Sequence, residues 1–137
     1  MTMRQFSDHV IAVSNKNGIP ITNLALQKVM YFALKNSNLD PEFLAEIYSE
    51  PFKVWRYGPV VESEYNRFRQ FSSAPIDGDF EEVDEYNVLN DEILKAANEK
   101  VFRLVERSHN IDFWINNSWK IDRYRSDVEY PLEHFME

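Results

Sequence analysis

The stretch Thr22–Lys35 constrains the fold more than any other part of the chain. Read at about 100° per residue, Ala25, Leu26, Val29, Met30, Phe32, Ala33 and Leu34 cover more than half of a helix surface. A helix that apolar has to be surrounded, so the rest of the chain is expected to pack round it. Thr22 is a suitable N-cap. The remaining narrow stripe carries Gln27, Lys28, Tyr31 and Lys35, with Leu24 among them. Gln27 and Tyr31 stand four apart and Lys28 and Tyr31 three apart, so these side chains can meet. The plain reading of such a stripe is a solvated edge. The sharper one is a polar seam that grips another part of the molecule.

Candidate partners for the central helix follow from spacing. Met3, Phe6, Val10 and Val13 define an amphipathic helix from about residue 3 to 15, closed by Asn17-Gly18 and Pro20. Asp40-Pro41-Glu42 opens a short helix, with a capping acid and a proline in its first turn. Residues 52–57 alternate apolar and basic side chains, the period of a half-buried strand. Helical spacing resumes from Val61 to Phe71. Ala74–Ile76 and Phe80–Val83, joined by Asp77-Gly78, read as a second short strand pair. A further helix is expected from Asp91 to Ser108, capped by Asn90, and a last short one from Asp112. The fold class is therefore mainly α: one compact helical bundle over residues 1–137, with small β elements around 52–57 and 74–83.

Charge and composition narrow the function classes. The net charge is −8, which opposes nucleic acid, whose binders gain affinity from Lys and Arg meeting phosphate. With no cysteine there is neither a disulfide framework nor thiolate chemistry. The N-terminus lacks the apolar core of a signal peptide, and no run approaches the roughly 20 residues of a membrane span. A cytoplasmic protein without membrane contact is expected.

A search for catalytic and metal patterns returns little. Gly18, Gly58 and Gly78 are too scattered for a phosphate loop. His9, His109 and His134 share no zinc-ligand spacing, and Glu133-His134 lies at the chain end. The acidic run Asp77–Glu85 fails the ligand frame of a calcium loop and reads as solvated. No catalytic residue, cofactor or metal is therefore assigned.

More specific is Trp55-Arg56-Tyr57-Gly58-Pro59. Glycine admits an unusual backbone angle, and proline presets entry into the following helix. The set reads either as a structural corner or as a rigid aromatic surface for a partner, since Trp, Tyr and Arg dominate interface hot spots. If the polar stripe grips this corner, Gln27 and Tyr31 should hydrogen-bond to backbone near Arg56–Gly58. Lys28 should then pair with Glu62 or Glu64.

Two segments together resemble the Panacea domain, the family of SocA-like and GepA-like phage-associated proteins. The first is Ile21-Thr22-Asn23-Leu24-Ala25-Leu26-Gln27-Lys28-Val29-Met30-Tyr31-Phe32-Ala33; the second runs from Phe52 through Trp55-Arg56-Tyr57-Gly58-Pro59 to Tyr65. Ala25 stands where the family has lysine and Ser63 where it has proline. The likeness extends over residues 1–108 and leaves 109–137 as a divergent extension. It implies a mainly helical, phage- or prophage-associated protein-binding module, antitoxin- or adaptor-like, that contacts a toxin encoded nearby without an enzymatic step. On this reading Gln27, Lys28, Tyr31, Trp55, Arg56, Tyr57, Gly58 and Pro59 are the motif and partner-binding residues. Two alternatives stand beside it. One is a DNA-binding regulator using residues 3–35 as a helix-turn-helix; the other is an enzyme built on Gln27, Lys28, Tyr31 and Arg56.

Overall fold

A computed structural model describes all residues, Met1–Glu137. Seven helices and one two-stranded hairpin follow in the order α1 (Met3–Lys16), α2 (Asn23–Asn36), α3 (Pro41–Ile47), β1 (Lys53–Trp55), β2 (Gly58–Val60), α4 (Glu62–Arg67), α5 (Asn90–Ala97), α6 (Val101–His109) and α7 (Asp112–Asn117). Short 3₁₀ turns fill the connections and close the chain at Leu132–Met136. The chain is mainly α, with a β element at the first of the two expected sites, where the single strand expected over 52–57 is one arm of a hairpin.

Helix α2 is the hub. It contacts α1, α4, α5, α6, β2 and the final 3₁₀ turn, and every residue from Leu26 to Leu34 is buried. Thr22 caps it by accepting from the Ala25 amide. Helix α1 starts with a capping box between Thr2 and Gln5 and ends on Gly18 in a left-handed conformation, φ +73°. There the Ile19 amide bonds back to Ser14 and the Gly18 amide to Asn15, a doubly bonded C-terminal stop. Asp40 caps α3 as its sequence suggests.

The structure departs from the sequence reading in several places, and the helix expected over 61–71 ends at Arg67 with a 3₁₀ turn beyond it. Ala74–Ile76 and Phe80–Val83 form no strand pair. Ile76 instead gives its amide to the Ile21 carbonyl at 2.8 Å and Val83 its amide to His9 Nδ1 at 2.9 Å, so each arm is tied to the helical layer rather than to the other. The long helix expected over 91–108 is two helices. Asn98 turns its side-chain amide onto the Leu94 carbonyl, competing with the helical ladder, and Lys100 takes an extended conformation. The break lets α5 pack on α1 and α2 while α6 packs on α2, β2 and α7. Asn90 is the first residue of α5 rather than its cap, and its Oδ1 lies 2.8 Å from His9 Nε2.

Gly58-Pro59 also serves differently from a helix entry. With Val60 it forms β2, antiparallel to β1 in the register Lys53↔Val60, Val54↔Pro59 and Trp55↔Gly58. The C-terminal segment lies along the other edge of β1, where Val54 N donates to Val128 O and Tyr130 N to Phe52 O. Residues 109–137 are thus packed into the same body as the hairpin.

Candidate functional site

The hairpin tip and its buried supports bring most of the sequence-predicted site residues together. Trp55 is 6% exposed and packs edge-on against Tyr65 at 5.2 Å, whereas Tyr57 is 45% exposed and Arg56 also faces solvent. Gly58 has φ +105°, and a Cβ there would lie 2.4 Å from Ser108 Oγ and 2.9 Å from Lys28 Cε. Backbone angle and space both require glycine at this position.

Five backbone polar groups at the corner have partners outside the hairpin, and the partners come from three directions. From α2, Gln27 Oε1 accepts from Val61 N at 2.8 Å and Lys28 Nζ donates to Pro59 O at 2.8 Å. From the α6–α7 side, His109 Nε2 meets Arg56 O at 2.8 Å and Trp114 Nε1 donates to Trp55 O at 2.9 Å. Those two rings stack on each other at 4.0 Å. From the C-terminal segment, Tyr124 O accepts from Arg56 N at 2.8 Å. Buried backbone groups need such partners, and here they come mostly from distant side chains.

The polar stripe of α2 is thus a seam, with three differences from expectation, the first being that Gln27 bonds to Val61 N, beyond the Arg56–Gly58 stretch. Tyr31 does not reach the corner. Its hydroxyl lies 2.6 Å from His134 Nε2, inside a cage of Phe32, Phe52, Tyr130 and Phe135 rings. Lys28 has no carboxylate partner, because Glu62 is drawn to Lys53 and Glu64 to Arg67. Lys28 is fully buried with a single carbonyl partner, and desolvation pushes its pKa down to about 7. His134 is 7% exposed, and burial followed by the nearby Lys35 charge pushes its pKa down to about 4. Lys35 itself donates to the His134 carbonyl at 2.7 Å.

Beside the hairpin tip lies a cleft of about 270 Å³ lined by Leu24, Trp55, Tyr57, Val60, Tyr65 and Tyr124, with Arg125 at its edge. The Arg125 guanidinium sits over the Trp55 ring at 4.4 Å and Arg56 over Tyr124 at 5.3 Å. Tyr124 and Arg125 are lifted there by a tight turn in which Asp122 and Arg125 bond to each other and Arg123 adopts φ +65°. A shallower groove continues past Tyr57 and Tyr65 to Arg69.

Sequence reasoning missed His109, Trp114, Tyr124, Arg125 and His134. They lie far along the chain from residues 22–59, and no local spacing pointed to the hairpin. No group of three or more His, Asp or Glu side chains is placed to hold a metal ion. No helix is long and apolar enough to cross a membrane. No protein-family model, curated protein or solved structure matches the chain.

Proposed function

We propose that this chain is a protein-binding module of antitoxin or adaptor type, acting by direct contact with a partner protein, a toxin encoded nearby. The resemblance to the Panacea domain supplies the class, and a cytoplasmic setting without an enzymatic step belongs to the same proposal. The observation that supports it best is the pairing of a braced backbone with an exposed rim. Val54–Val61 is tied to α2, to α6–α7 and to the C-terminal segment, while Arg56, Tyr57, Tyr124 and Arg125 face outward. A surface already ordered loses less entropy on association, and Arg and Tyr are the side chains on which binding energy concentrates.

The helix-turn-helix alternative would require α2 to present side chains to DNA. Its residues from Leu26 to Leu34 are buried, and Gln27 and Lys28 are committed to the hairpin. The enzyme alternative draws on Gln27, Lys28, Tyr31 and Arg56, of which the first three are each 0% exposed and Arg56 alone faces solvent.

The test is to express the product of the adjacent reading frame alone and together with this chain. Growth arrest that is relieved on co-expression is the expected result; a harmless neighbour, or unrelieved arrest, contradicts the proposal. Arg56→Ala should keep the melting temperature and weaken rescue. Gln27→Ala should lower stability by about 1–3 kcal/mol by leaving the Val61 amide unpaired.

A further inference from the structure

We infer that the cleft beside the hairpin tip is a docking site for an extended partner segment carrying one large apolar side chain flanked by carboxylates. This rests on the reading that the chain acts by protein contact, and it assigns the chemistry of what is contacted.

Size comes first. The cleft of about 270 Å³ accommodates a single Leu, Met or Phe side chain, and the groove that continues past Tyr57 and Tyr65 gives the flanking residues of an extended segment room to lie. The cleft walls suit such a side chain: Trp55, Tyr57, Tyr65 and Tyr124 supply ring faces and edges, and Leu24 and Val60 supply aliphatic surface.

Charge points to the flanks. The chain has 23 acids against 15 Lys and Arg, yet no carboxylate lines the cleft or the groove that continues from it. Three further grooves on the surface each include at least one. Arg125 borders the cleft, Arg56 stands over two of its tyrosines, and Arg69 borders the adjoining groove. None of the three takes part in an ion pair within the protein. A guanidinium stacked on an aromatic face keeps its in-plane N–H groups free for a carboxylate. The Arg125 guanidinium carbon lies 4.4 Å from the centre of the Trp55 ring, within reach of that contact.

Arginines beside aromatic faces also suit single-stranded nucleic acid. The balance favours a peptide. A strand bearing a phosphate at every step would meet the −8 field along its whole length. Two or three carboxylates next to an anchoring side chain would meet the three arginines locally.

The experiment selects short random peptides by display on the intact protein, then measures the enriched peptides on wild type, Arg125→Glu and Tyr57→Ala. Both altered side chains are exposed, and melting curves confirm folding. The expected result is enrichment of Leu, Met or Phe flanked by Asp and Glu. Affinity should fall by at least about tenfold in each variant and weaken with added salt. Basic or uncharged winners, or peptides indifferent to Arg125→Glu, would overturn the assignment, as would tighter binding of an oligothymidylate strand. A parallel arm separates this from the broader reading. If wild type and both variants neutralise the neighbouring gene product equally, the cleft assignment falls and partner binding stands. If no peptide is enriched and no partner is neutralised, both fall.

Discussion

Lys28 shows what a single residue contributes to this fold. An ammonium buried without a carboxylate would be costly, and the depressed pKa reports that cost. The unfolded chain holds the Lys28 proton up to an ordinary lysine pKa near 10.5, whereas the folded chain releases it above about 7. Between these limits the unfolded state binds more protons, so stability rises with pH, by up to about 1.4 kcal/mol per unit. Buried Tyr31, Tyr48 and Tyr130, whose pKa values are pushed up, set the upper limit, because the unfolded chain ionises its tyrosines first above about pH 10. Denaturant midpoints should therefore increase between about pH 7 and pH 9.5. Lys28→Met should remove that increase, while a slope unchanged in the variant would assign it to other groups.

At the scale of elements, the hairpin depends on segments distant in sequence. Isolated two-stranded hairpins are marginal, and β1 and β2 have three residues each. Their order comes from α2 on one side and from His109, Trp114 and Tyr124 on the other. Trp114→Phe keeps an aromatic side chain but removes the indole donor to the Trp55 carbonyl, and should cost at least about 1–2 kcal/mol in a chemical denaturation experiment. No loss would show that contact to be incidental. The same dependence explains what could be read from sequence. The helices α1, α2 and α3 were legible because their signals are local: apolar spacing, a Thr or Asp cap, a glycine stop. The break at Asn98 was hidden because Asn98–Lys100 carries no proline or glycine. The pairing of 74–83 was misread because the Asp77-Gly78 turn signal says nothing of what the flanking amides bond to. Of the site, the seam residues Gln27 and Lys28 and the corner 55–59 were legible as two sets able to meet. Their braces on α6, α7 and the C-terminal segment were not.

For the whole molecule, the three histidines act as neutral fasteners between segments distant in sequence. His9 joins α1 to Val83 and α5, His109 joins α6 to the hairpin, and His134 joins the chain end to α2. Burial lowers the pKa of all three. Each then takes up its proton in the unfolded chain first, so stability is present above about pH 6.5 and is lost as pH falls below it, the His134 share being lost down to about 4. Melting temperature should drop across that interval, and His134→Phe should flatten part of the drop. An equal slope in the variant would contradict the role of His134.

The central claim is that the Val54–Val61 corner is as rigid as the core although its tip is exposed. Native-state amide hydrogen exchange at Val54, Arg56 and Val61 tests it most directly, since these amides bond to Val128 O, Tyr124 O and Gln27 Oε1. All three should exchange only through global unfolding, with opening free energies equal to that of α2 amides. Exchange at Arg56 and Val61 through local opening, several kcal/mol easier than for α2, would contradict it.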